Sequence, residues 1–320
     1  MVNQTLLKNN VVNQIAFVVR DIEAASEAFA TLLGIPKPKW FLTGGPEISQ
    51  IVFRGQPTAS QCKLVFIDTP AVQIELIEPN QEPGTMREFL DTVGEGIHHI
   101  AFDTDHLKDQ LHVLGEAGYP VLQTGEFTSS NGRYAYVDTL VDCKTLIELL
   151  ERDEPQPKAA QEPIAESLQP LLGTAKVEQL AFVVKDIEAA ADAYCTLLGL
   201  KKPPLLPPGP AEVTQIEYLG RPTEGKAKMM FIKTPLIEIE LIEPAADSPS
   251  TWNQHLEEHG EGVHHISFVV QNMEEKIRLL EEMGYPVIQK GNFWNGKGKY
   301  AYMDTTSDYK VIIELLEKFN

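Results

Sequence analysis

A chain of 320 residues, 43% of them hydrophobic, has the length for two domains of ordinary size, each with a core of its own. Its formal charge of −19 repels phosphate backbones and no basic stripe offsets it, so nucleic acid is not an expected partner. Cys62, Cys143 and Cys195 are odd in number and far apart, which argues against a disulfide framework or a cysteine zinc site, and no signal-peptide core or membrane-length apolar run is present; a cytoplasmic location is expected.

Residues 13–19 read as a strand, after which Asp21 caps an amphipathic helix over 22–33 that Gly34 stops. Strands are predicted over 48–53, 63–67 and 72–77, then a short helix over 86–93. The cycle restarts with a strand at 98–102, a helix over 106–117 stopped by Gly118, and strands near 121, at 134–137 and at 146–150. Each cycle is a βαβββ unit. The stretch 151–174, rich in Pro, Glu, Gln and Ala, reads as a linker whose Leu168, Leu171 and Leu172 have a surface to pack on. Beyond it the pattern returns, residues 11–153 being echoed by 176–319. The expected domains are 1–152 and 175–320, joined by 153–174. The expected fold is α+β: four βαβββ units in tandem, closing into two open curved barrels.

Four polar residues keep their order in both copies. Gln14, Glu75, His99 and Glu148 recur as Gln179, Glu240, His265 and Glu314, 165 or 166 residues later. Alternation along a strand sets Glu75 opposite Ile74 and Leu76, Glu148 opposite Ile147 and Leu149, and His99 opposite His98 and Ile100. On a curled sheet these positions converge on the concave face. A single outward Glu is ordinarily a solvated residue; here all four persist while 36–47 and 201–212 have diverged. Two carboxylates, an amide oxygen and an imidazole form an oxygen-rich set suited to a divalent Zn, Ni, Co, Mn or Fe ion.

The paired units, with Gln14 ahead of Arg20-Asp21, Ile74-Glu-Leu-Ile-Glu-Pro79, Gly94-Glu-Gly-Ile-His-His-Ile-Ala-Phe102 and Leu146-Ile-Glu-Leu-Leu-Glu151, resemble the vicinal oxygen chelate superfamily. That superfamily includes glyoxalase I, methylmalonyl-CoA epimerase, bleomycin-resistance-type binding proteins and extradiol dioxygenases, and the resemblance covers nearly everything outside the linker. It implies a divalent metal held in each copy by Gln14, Glu75, His99 and Glu148, and by Gln179, Glu240, His265 and Glu314. Two coordination positions are left for a substrate with two vicinal oxygens. It further implies that Glu75, Glu148, Glu240 and Glu314 act as both ligands and general bases in proton transfer next to a carbonyl, through a metal-bound enediolate.

The pattern departs from each relative. Where methylmalonyl-CoA epimerase has a second, non-ligand glutamate, the matching positions are Gln50 and Gln215, which accept no proton but can bind a substrate carbonyl. The arginine with which glyoxalase I grips glutathione is matched by Val18 and Val183, and Gln14 replaces the first histidine of the dioxygenases. Tyr134, Tyr136, Tyr300 and Tyr302 are candidates to line the cleft, Trp40, Phe41 and Trp294 to shape an apolar pocket, and the dissimilar loops 128–132 and 292–298 to separate two substrates. The reading is a metal-dependent isomerase or lyase acting on a small molecule, either as an internal pseudo-dimer or as a homodimer. The alternatives are a metal-free binding or resistance protein and an iron-dependent dioxygenase. Whether each site is built within one copy, or Gln14 and Glu75 meet His265 and Glu314 across the interface, stays open.

Overall fold

The computed structural model describes residues 5–154 and 169–319. In the first half a mixed sheet runs in the order Phe41–Leu42, Cys62–Asp68, Gln73–Pro79, Gln14–Val18, Gly96–Asp103, Leu146–Arg152, Gly132–Val137, Val121–Glu126, Val52–Phe53, Gln56–Pro57. The second half repeats this order without a counterpart of Phe41–Leu42, whose place is taken by a single bridge from Leu206 to Met229. Each half is two βαβββ units joined at their first strands: Gln14–Val18 runs parallel to Gln73–Pro79 and antiparallel to Gly96–Asp103, which in turn runs parallel to Leu146–Arg152. The molecule is α+β, two curled sheets in tandem.

The helix Ile22–Leu33 forms as its sequence dictates. Asp21 accepts hydrogen bonds from the Glu23 and Ala24 amides, and Gly34 ends it in the left-handed region at φ 64°. Ile48 does not begin a strand, as expected, but lies in a one-turn helix, Pro46–Ser49; Pro46 is preset for the first helical turn, and Gln50 reverses the chain at φ 43°. Only Val52–Phe53 remains extended.

The two faces of each sheet have different fates. Ile15, Phe17, Ile74, Leu76, Ile147 and Leu149 point into one apolar core that continues through Leu180, Phe182, Ile239 and Ile313 of the second half. The opposite faces keep separate small clusters, Ala16, Val18, Ile77, Met86 and Tyr136 in one half and Ala181, Val183, Ile242, Trp252 and Tyr302 in the other.

The halves meet through matched contacts. Lys144 pairs with Glu261 and Lys310 with Glu95, both at 3.2 Å; Phe29 packs edge-on against Tyr309, and the Tyr194 hydroxyl donates to the Cys143 carbonyl at 2.7 Å. The halves also exchange arms. The Leu7 amide donates to the Leu197 carbonyl in the second half, and the Leu171 amide, near the end of the linker, donates to the Leu32 carbonyl in the first. Gly34 and Gly199 are needed beneath these arms, because a Cβ there would collide with Gln169 and Pro170 or with Thr5. Residues 155–168, including Leu168, lie outside the described residues; Leu172, like Leu7, is buried in the shared core. Truncating Leu7 or Leu172 to alanine is expected to lower stability by roughly 2–5 kcal/mol in urea denaturation, as for any well-seated core leucine. A change within about 0.5 kcal/mol, typical of a surface residue, would show that the arms carry no packing.

Candidate metal centre

The register of the central strands builds the cluster. Ala16 lies between Glu75 on one neighbour and His99 on the other, and Gln14 lies between Gln73 and Ala101, with Ala101 opposite Glu148. Cross-strand partners share a face, so Glu75, His99, Gln14 and Glu148 surround two alanine methyls, and the small side chains leave room above the sheet for the long ones to converge. In the second half Ala181 and Ser267 hold the same places among Gln179, Glu240, His265 and Glu314.

The convergence occurs within each half. His99 Nε2 lies 3.1 Å from Glu148 Oε2 and 3.5 Å from Glu75 Oε2, and His265 Nε2 lies 3.1 Å from Glu314 and 3.4 Å from Glu240. In each trio one ligand atom per residue falls within 4.8 Å of the others. All of these side chains are buried, yet neither Nε2 makes a well-directed hydrogen bond. Gln14 lines the same cleft and donates to Gln73 Oε1 at 2.8 Å, so its own Oε1 is left buried without a partner. Gln179 donates to Glu238 at 2.8 Å, and its Oε1 accepts from Ser267 at 3.0 Å. Two buried carboxylates and an imidazole nitrogen gathered about a common point, with a glutamine on the neighbouring strand position, fit a divalent cation.

A family model described as the glyoxalase/bleomycin resistance protein/dioxygenase superfamily matches residues 13–137 and again 178–302. The chain belongs to that superfamily. The uncharacterized protein YqjC of Bacillus subtilis (strain 168) is 31% identical over 104 residues, 32% of this chain and 74% of that protein. The ethylmalonyl-CoA/methylmalonyl-CoA epimerase of Cereibacter sphaeroides is 30% identical over 115 residues, 36% of this chain and 75% of the epimerase. Among solved structures, a mutant of 4-hydroxymandelate synthase from Streptomyces coelicolor shares the fold, with a TM-score of 0.59 and 14% identity over 98% of this chain and 93% of the synthase. No helix among the described residues is long and apolar enough to cross a membrane.

Around the glyoxalase-superfamily cluster, Tyr134 and Tyr136 line the first cleft and Tyr300 and Tyr302 the second, with the Tyr136 ring 4.9 Å from that of His99 and the Tyr302 ring 4.7 Å from that of His265. Burial holds all four phenols well above their usual pKa, so they serve as neutral walls. Gln50 and Gln215 are a correction. Both are exposed, at the left-handed ends of their one-turn helices, and the residues that reach the clefts are their neighbours Ser49 and Thr214. Phe41 and Trp294 line the clefts, whereas Trp40 leans outward, donating to Glu23 at 2.6 Å. The loops 128–132 and 292–298 do reach their respective clefts, through Thr128, Ser129 and Asn131 in one and Trp294 and Asn295 in the other.

His98 corrects the alternation argument. The register slips between Ala16 and Phe17, which pair with His99 and Ile97, so His98 bulges and turns its ring to the concave side. Its Nδ1 lies 2.8 Å from that of His99, and the same slip brings His264 Nδ1 to 2.8 Å from His265. Sequence reasoning passed over His98, His264, Gln73 and Glu238; the repeated His-His doublet was the available signal.

Burial alone disfavours charge on His99 and His265, but the facing carboxylates outweigh it and lift both to about 9. Burial, together with the Glu314 charge, raises Glu240 to about 7. Groups held above their unfolded values contribute stability that is lost as pH rises: for the imidazoles it is complete below about 6.5 and gone above about 9, and Glu240 acts in the same direction up to about 7. Metal-free protein in chelator should therefore unfold at progressively lower urea between pH 6.5 and 9. A midpoint that rises over that window would contradict the buried charge cluster.

Proposed function

We propose that each half holds one divalent cation, through Gln14, Glu75, His99 and Glu148 in the first and Gln179, Glu240, His265 and Glu314 in the second. In this reading the protein is an isomerase or lyase that moves a proton on the carbon next to a carbonyl. The observation that carries it is the buried trio in which two carboxylates converge on one imidazole Nε2 with no well-directed hydrogen bond to either. Two carboxylates balance a dication, and the amide and imidazole complete a set suited to Zn, Ni, Co, Mn or Fe. A bound cation supplies Lewis-acid stabilisation of the negative charge that develops on a substrate oxygen as the carbon loses its proton.

The chain's own residues do the rest. Glu75 and Glu148 approach the imidazole from different strands, and burial, with the neighbouring Glu148 charge, raises the proton affinity of Glu75, which suits a group that takes a proton and returns it. The 46–50 turn sends Ser49, not a carboxylate, into the cleft, and the proton-moving roles are assigned to the cluster glutamates because they converge on the imidazole. Val18 and Val183 are fully buried, which leaves no cation at that position to grip a glutathione carboxylate. The likeness to the ethylmalonyl-CoA/methylmalonyl-CoA epimerase supports a carbonyl compound bearing an acidic α-carbon as substrate. The clefts differ in size, about 370 Å³ in the first half and 220 Å³ in the second, where Trp252 replaces Met86 and Trp294 replaces Thr128. They are suited to different acyl groups. Unpaired buried thiols accord with the reducing cytoplasm.

Metal analysis of the purified protein should give two equivalents, falling to one in Glu148→Gln and in Glu314→Gln. In D2O, NMR should show loss of the α-proton of a malonyl thioester such as methylmalonyl-CoA, without oxygen uptake. Protein that retains no metal favours a binding protein, and oxygen uptake by iron-loaded protein favours a dioxygenase; either result overturns the proposal.

A further inference from the structure

We propose that His98 and His264 are positioning residues: each accepts a hydrogen bond from Nδ1–H of the adjacent histidine and so pins that ring with its Nε2 toward the paired glutamates. This deepens the functional reading above and rests on it.

Two ring nitrogens 2.8 Å apart share one proton, so in each doublet one histidine donates and the other accepts. His99 Nε2 faces Glu75 and Glu148. To hold a cation there it needs its lone pair, which places the proton of the neutral ring on Nδ1 and makes His98 Nδ1 the acceptor. In the metal-free protein the rings keep the same 2.8 Å contact, with Nδ1–H of His99 again the donor. One arrangement therefore serves both states. His98 must then carry its own proton on Nε2. In the second half that atom of His264 lies 3.3 Å from Thr251 Oγ1, placed to receive it; in the first half the Thr85 hydroxyl turns to Met86 Sδ instead, at 3.2 Å, and His98 Nε2 has no hydrogen-bond partner. The relay is complete in one half and one bond short in the other.

The bulge makes the device possible. In unbroken alternation His98 would enter the shared apolar core, where an imidazole has no acceptor. The extra residue instead lodges its ring edge-on against Phe89 and Tyr136, at 5.3 and 5.6 Å, and His264 sits likewise against His255 and Tyr302, both at 5.3 Å. Both copies keep the slip, the doublet and the distance.

The full-length protein labelled with ¹⁵N-histidine, with and without Zn²⁺, tests this directly by imidazole NMR. His98 and His264 should show a bare Nδ1 and a protonated Nε2 in both states; a proton on either Nδ1 overturns the proposal. Zn²⁺ affinity by chelator competition, in a Glu314→Gln background that leaves one site, adds a second arm. His98→Leu should weaken binding about 10–100-fold, and His98→Asn, whose Oδ1 stands where Nδ1 was, should restore most of it. Equal weakening by Leu and Asn, or none by Leu, overturns the relay while leaving the functional reading intact. A wild-type protein that takes up no Zn²⁺ defeats the functional reading instead, and the NMR pattern of the metal-free protein still decides the relay.

Discussion

Two carboxylates and an imidazole, nearly buried at the floor of a cleft and within a few ångströms of one another, set the terms for the rest of this molecule. Removing an ionised carboxylate from water costs several kcal/mol, and a second one beside it adds repulsion, so the cluster is eased by positive charge at its centre or by a proton on one carboxylate. The protonated imidazole provides that charge in the metal-free protein, and a dication is the stronger replacement. Everything nearby keeps the donors turned inward. Gln73 and Glu238 hold the glutamines by their amide nitrogens, and Tyr136 and Tyr302 wall off the imidazoles.

The arrangement depends on which residues are small. Ala16 and Ala101 in one sheet, Ala181 and Ser267 in the other, occupy the strand positions between the donors, where a branched side chain would fill the space into which they converge. The reverse face of the same strands carries Phe17, Ile74, Ile100 and Leu149 into a core common to both halves. Period-two alternation therefore separates two tasks on one strand: one face joins the halves, and the other forms a private cleft.

Much of this was legible in the sequence because the controlling signals were local or duplicated. The cap at Asp21, the stop at Gly34, the βαβββ cycle and the equivalence of the two quartets follow from residue types and spacing, and the structure draws each Glu-His-Glu trio together. Less was legible where one residue changes the phase. The resemblance to methylmalonyl-CoA epimerase puts Gln50 at a substrate-binding position, but the one-turn helix ending at a left-handed residue brings Ser49 to the cleft instead. Strict alternation along 98–102 sets His98 on the face opposite His99, and a bulge, which has no compositional mark of its own, turns it back. The cleft linings differ at Met86 and Trp252, each an ordinary apolar position in its helix when read in isolation.

The exchanged arms bear on how such a chain is put together. Leu7 finds its seat against the helix Ile187–Leu198, and Leu172 against the environment of Ile22–Leu33, so neither half contains everything required to cover its own first helix. A single half made alone would have a leucine strap with nothing to grip and a vacant seat of matching shape. Two such pieces would complete one another by a twofold operation. The tandem chain is in this sense a dimer whose subunits have been tied into one polypeptide, freeing each cleft to diverge while its partner stays fixed in place.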